Sequence, residues 1–189
     1  MDELLGLVKV IPVRISQSRN AKVWIGELPN ALYDPISTLE AEVRALTRSS
    51  HSSCAVELVH YRGPHVLYGL LGAEFRAEPS PGLRIRVGTT EEEGKVFADS
   101  LAPKDDIVRV GLPKEYAGVV FGEFVRTQAE NPQIGSGLLT VSCAAHGRVT
   151  SAEFIFRQLA KVVLRLLGFT KSDISPDNLL SLFKDRSRS

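Results

Sequence analysis

Cysteine is scarce in this sequence. Cys54 and Cys143 are the two among 189 residues, far apart and each in an apolar context. Neither belongs to a CxxC pair, so a disulfide-stapled fold or a cysteine-based metal centre is not expected, and both thiols are expected reduced and buried. An excess of one charge is missing too. Lys and Arg total 23 against 22 Asp and Glu, a formal net charge of +1. A protein that depends on phosphate contacts is usually more basic, so a nucleic-acid role would have to rest on a local patch. No apolar run is long enough to span a bilayer. Met1-Asp2-Glu3-Leu4-Leu5 lacks the basic start of a secretion signal, and a cytoplasmic location without membrane contact is expected. Phosphate-cradling glycines are also absent: no GxxxxGK followed by Ser or Thr occurs, which excludes a P-loop GTPase. Gly135-Ser136-Gly137 is turn chemistry, because a nucleophile elbow needs GxSxG between strand and helix. His60 and His65 flank a turn but have no third ligand at a familiar spacing, so no metal and no cofactor is expected. There is no repeat at a solenoid period.

What is present is ordinary globular material, 43% hydrophobic and 24% charged, enough for one domain with a modest extension. The apolar residues of 7–15 read as a strand, with Pro12 suggesting an edge, and 21–28 read as its hairpin partner. Ser37-Thr38-Leu39-Glu40 matches a capping box, and Leu39, Val43 and Leu46 at i, i+4 and i+7 predict a short helix to about Arg48. Residues 49–53 form a polar linker. Strands are predicted over 54–61, 65–77 and 83–87, separated by Arg62-Gly63-Pro64 and Pro79-Ser80-Pro81-Gly82. Residues 89–106, with Glu91-Glu92-Glu93 and Pro103-Lys104-Asp105-Asp106, read as a long surface loop. A strand at 107–110 is followed by Pro113, suited to the first position of a helix that ends at Asn131-Pro132. Residues 138–145 read as a buried strand. Thr150-Ser151-Ala152-Glu153 matches a second capping box, opening a helix to Leu167 that stops at Gly168. A short helix from Ser175-Pro176 precedes a polar tail. Val120, Phe124, Phe156, Leu159 and Val163 are the predicted core of the two longer helices.

Two stretches carry a family likeness. Ile107-Val108-Arg109-Val110-Gly111-Leu112-Pro113-Lys114-Glu115-Tyr116 resembles the run with which elongation factor G domain IV enters a helix. Residues 139–160 resemble that family's strand, tip loop and capped helix, with Val149, Ser151, Glu153, Phe156 and Arg157 at matching spacings. The resemblance spans about residues 54–168. It implies an α+β domain: a mostly antiparallel sheet, two helices on one face and a left-handed βαβ crossover, a fold class shared with certain ribosomal proteins and GHMP kinases. Residues 1–50 would add an N-terminal ββα unit, and 169–189 a short helix and tail. In the family the tip between strand and helix reaches the decoding region. Here that tip is Ala144-Ala145-His146-Gly147-Arg148-Val149, shorter than the family's and with its histidine displaced.

The candidate binding residues follow from this placement. His146 and Arg148 sit at the tip, and Arg157, Lys161 and Arg165, at i, i+4 and i+8, form a basic stripe on the last long helix. A second basic cluster, Lys184, Arg186 and Arg188, lies in the tail. The bland reading of each is a solvated surface. Two functions compete. The resemblance implies a non-enzymatic binding protein whose partner is the ribosome or structured RNA. The balanced charge favours a protein–protein interaction or regulatory module that reuses the fold. A small phosphotransferase, by analogy with GHMP kinases, has least support for want of a glycine-rich cradle.

Overall fold

The computed structural model of the chain describes residues 9–45, 52–91 and 93–184. The start of the chain, residues 46–51 with His51 and its serines, Glu92, and the tail arginines Arg186 and Arg188 lie outside the described residues. The chain opens with a hairpin, β1 (Lys9–Ser16) and β2 (Arg19–Ile25), paired antiparallel. Pro12 cannot donate to a ladder, and β1 is an edge strand.

The next element corrects the sequence reading. Where a helix from Ser37 to about Arg48 was expected, the chain forms strand β3 (Ser37–Val43). Its half-buried residues are Leu39, Ala41 and Val43, a period of two. Leu39 and Val43 satisfy the strand and helix templates alike, and pairing with a neighbouring strand decides between them. The supposed capping groups serve that pairing: Ser37 Oγ lies 2.5 Å from Thr89 Oγ1, and Arg86 Nε donates to Glu40 at 2.9 Å.

The remaining elements are β4 (Ser52–Arg62), β5 (His65–Ala77), β6 (Leu83–Thr89), β7 (Val108–Val110), α1 (Lys114–Glu130), β8 (Gly137–Gly147), α2 (Glu153–Leu167) and, after one 3₁₀ turn, α3 (Pro176–Leu182). The strands make one sheet in the order β1-β2-β4-β5-β8-β6-β3, with β7 paired to the end of β8. β6 and β8 run parallel with α1 as the crossover, and the other pairings are antiparallel. The chain is thus an α+β protein with a mostly antiparallel sheet and helices packed on it. Among the described residues no helix is long and apolar enough to cross a membrane.

Alternation along the strands sends side chains to two faces, and both are covered. On one face Val56, Leu58, Leu71, Ile85, Val87 and Leu139 meet α1 and α2, which lie side by side, and Val120, Phe124, Phe156, Leu159 and Val163 are fully buried there. On the other face lie Trp24, Val59, Tyr68, Leu70, Val108 and Cys143. Irregular backbone covers these. Ala31 and Tyr33 come from the β2–β3 connection, and Phe97, Leu101 and Ala102 come from the stretch read as a surface loop. Tyr33 fastens its connection by donating to Gly88 O at 2.9 Å. Both cysteines are free and buried, as expected, and burial pushes the Cys143 thiol up to about 12.

Candidate functional site

The site region is the end of the sheet where β7 and β8 stop and the two long helices begin. β7 pairs with the last residues of β8, Val108 opposite Gly147 and Val110 opposite Ala145. The chain then turns at Gly111, whose φ of +131° suits glycine and whose missing Cβ would lie 2.5 Å from Thr90 Oγ1. Leu112 and Pro113 follow, and Pro113 sits at the N-cap of α1, one position before the helix proper.

His146 does not project from a free tip. It belongs to β8 and is 5% exposed. Its Nδ1 lies 3.2 Å from Gly111 O, and since a carbonyl only accepts, this nitrogen carries the proton. The ring tilts against Tyr116 at 6.1 Å, and Tyr116 stacks on Phe156 at 4.6 Å. His146 and Tyr116 wall a cleft of about 290 Å³, also lined by Glu93, Arg109, Glu115 and Arg148. The cleft therefore carries both signs of charge. Arg109 was not singled out by sequence; its Nη1 donates to Gly94 O at 3.0 Å.

The tip proper is the short turn after β8, where Arg148 and Val149 are exposed. It is held from two sides. Asp106 accepts hydrogen bonds from Val149 N at 3.1 Å, from Thr150 N at 3.2 Å and from the Thr150 hydroxyl. On the other side Ser151 Oγ accepts from Gly147 N at 2.8 Å and donates to Tyr68 O at 2.8 Å, while Tyr68 N donates to Thr150 O at 3.0 Å. The second capping box is thereby corrected as well: Thr150 and Ser151 spend their hydroxyls on the tip, and the N-cap of α2 is Ala152, with no side-chain cap. The result is a fixed turn that presents Val149, 82% exposed, beside Ile107, 44% exposed. Arg148 N donates to Ile107 O at 3.1 Å. Phe154, on the first turn of α2, is also exposed.

The basic stripe does not form one surface with the cleft. Arg157 and Lys161 are exposed on α2. Arg165 is half-buried, and its Nη1 reaches Leu182 O at 3.5 Å. Lys161 and Arg165 line a second cleft, of about 280 Å³, with Glu123, Arg126, Glu130 and Lys184. There Arg126 is engaged by both acids, at 2.5 Å from Glu123 and 2.6 Å from Glu130.

One residue that sequence reasoning passed over is Glu57, a fully buried carboxylate on the second sheet face. Its Oε1 accepts from Tyr68 Oη at 2.8 Å and from Leu101 N at 2.7 Å, and Lys22 Nζ lies 3.7 Å from its Oε2. Burial raises its carboxyl above the usual range, opposed by the Leu101 N–H, the Tyr68 hydroxyl and Lys22. A glutamate in the middle of an apolar strand, 54–61, was the available signal. Elsewhere, His60 and His65 lie on the β4–β5 hairpin opposite Leu67 and Arg62, and no group of three or more metal-ligating side chains occurs among the described residues. No protein-family model, curated protein or solved structure matches the chain.

Proposed function

We propose that the protein is a non-enzymatic binding module and that its partner is a protein, engaged through the tip at Ile107, Arg148 and Val149 and the adjoining cleft. The observation that carries this reading is the exposed Val149–Ile107 pair, held in place by Asp106 beside a cleft of mixed charge. Protein interfaces combine an apolar centre with a polar rim of both signs. A polyanion, by contrast, would meet Glu93 and Glu115 in the cleft and Glu123 and Glu130 beside Lys161 and Arg165. A rigid anchor also loses little side-chain freedom on binding, since valine is stiff at χ1.

A second reading, a ribosome- or RNA-associated module, is favoured by the exposure of Arg148, Arg157 and Lys161 and by the resemblance to elongation factor G domain IV. One experiment separates the two. The protein is immobilised and challenged with lysate, with and without RNase, in parallel with Val149→Asp and with the triple variant Arg148→Ala, Lys161→Ala, Arg165→Ala. On the protein reading, Val149→Asp abolishes capture of a discrete partner and RNase has no effect. RNase-sensitive capture that the triple variant weakens, with a flatter salt dependence, would replace it by the RNA reading.

A further inference from the structure

We propose that residues 95–106 act as a strap that couples the charge on buried Glu57 to the ordering of the tip at residues 148–150, so that the binding surface is regulated from inside the sheet. The strap lies over the second sheet face. One arm is bound to β7, with Phe97 N donating to Val108 O at 2.9 Å and Val110 N donating to Lys95 O at 2.7 Å. Its middle is anchored at the carboxylate, through the Leu101 N–H on Glu57 Oε1 at 2.7 Å, with the side chains of Phe97 and Leu101 packed on the apolar face. Its far end is Asp106, which accepts the three hydrogen bonds that fix Val149 and Thr150. Glu57 reaches the same turn by a second route. Tyr68 donates its hydroxyl to Glu57, while its backbone exchanges hydrogen bonds with Thr150 and Ser151. A change at Glu57 is therefore two contacts from the tip along both paths, a contiguous physical network of the kind coupling requires.

The direction follows from linkage. With the strap down, Glu57 faces Lys22 from β2, Tyr68 from β5 and Asp99 from the strap, with Asp106 near Tyr68. Burial is the dominant influence and favours the protonated acid. With the strap lifted, water reaches the carboxylate and its ordinary affinity for protons returns. The closed state thus binds the proton more tightly. Acid holds the strap down, and raising the pH through the closed-state value favours lifting. Between the ordinary and the raised carboxyl values, the opening constant rises by up to about tenfold per pH unit, then levels off.

The regulatory consequence rests on the tip being the docking surface, but the coupling can be measured in the free protein. Amide exchange is followed residue by residue by NMR across a pH series. Base-catalysed chemistry alone raises rates about tenfold per pH unit. The Leu101, Val149 and Thr150 amides are expected to rise by up to about a hundredfold per unit within the window, and Val56, in the sheet core, by tenfold. In Glu57→Gln all four should follow the tenfold course. In Asp106→Ala the Leu101 response should persist while the tip amides lose theirs. Tip amides that follow the tenfold course throughout in the wild type, or a Leu101 response without one at Val149 and Thr150, would overturn the proposal. The wild-type series is decisive by itself if Glu57→Gln does not fold. A partner that docks elsewhere would refute the binding reading and leave this result standing.

Discussion

Replacing Phe156 by alanine should cost about 4–5 kcal/mol, the upper part of the range for buried phenylalanine. Phe156 is fully buried in the face shared by α1, α2 and the sheet. Its ring stacks on Tyr116 at 4.6 Å with the planes 17° apart, a contact that contributes about 1 kcal/mol beyond area burial. What places the loss high in the range is the floor beneath the ring. Part of that floor is Gly69, where a Cβ would lie 3.4 Å from Phe156 Cζ and closer still to Leu159 and Ile155. Gly69 has no side chain to swing into the void, so the cavity closes only as far as Leu159 and Ile155 can shift. Urea denaturation followed by circular dichroism reads the difference, with an unchanged slope showing that the two-state comparison is valid. Tyr116→Phe is the internal control. It keeps the stack and removes a hydroxyl that donates to Ser151 O at 3.3 Å, so it should lose no more than about 1 kcal/mol. A loss below about 1 kcal/mol for Phe156→Ala would mean that the helices do not pack on this face as described, and the site geometry built on Tyr116 would go with it.

Glycine substitutions on α1 and at the end of β8 should act in opposite directions. Gly118 and Gly122 lie on the exposed side of α1 with nothing within 4 Å of where a Cβ would stand. Alanine at each should stabilise by about 0.5–1 kcal/mol, read as a rise in denaturation midpoint, and no gain would indicate that this face is covered or the helix frayed. At Gly147 an added Cβ would collide with the Asp106 carboxylate and the Thr150 hydroxyl. Gly147→Ala should therefore lose about 1–3 kcal/mol and move the Val149 and Thr150 amide resonances; unchanged resonances would show that Asp106 does not staple the tip.

The parts of the fold that were legible in the sequence are those where one period dominates. The β4–β5 hairpin announced itself through apolar runs broken by Arg62-Gly63-Pro64, and α2 through a wide apolar face ending at Gly168. β3 was misread because seven residues with apolar side chains at alternate positions also satisfy i, i+4, and its partner strand lies far along the chain. The strap was read as surface because Phe97, Leu101 and Ala102 follow no period; they are placed by the shape of the face they cover. At the site, the sequence indicated the right end of the molecule and the wrong exposure. His146 is the penultimate residue of an eleven-residue strand rather than part of a loop, because β7 extends pairing to Gly147. The basic stripe has helical spacing, but the acids of α1 that meet it come from a neighbouring helix and are invisible to a pattern read along α2. Glu57 illustrates a different limit: a pattern shows that a carboxylate lies in a strand, and only the fold shows that a backbone amide 44 positions later donates to it.

The chain enters the sheet at both margins before the middle exists. β1 and β2 finish one margin and β3 the other, and the connection between them crosses the second face, with Tyr33 N donating to Ser142 O at 3.0 Å and Ala144 N donating to Ala31 O at 3.1 Å. During synthesis these segments emerge before β4, β6 and β8; β1 and β2 can pair with each other, but β3 has nothing to join. β3 pairs with residues 40–52 positions downstream, a delay of about 2–10 s at ordinary elongation rates, and the crossing at Ala31 and Tyr33 waits for β8, more than a hundred positions on. The nascent chain therefore carries β3 as unpaired strand backbone until β6 has emerged, the kind of template that other chains can extend. Pro12 in β1 and Glu40 and Glu42 in β3 put a missing donor and like charges on those early segments, a guard that matters before the native sheet has formed and little afterwards.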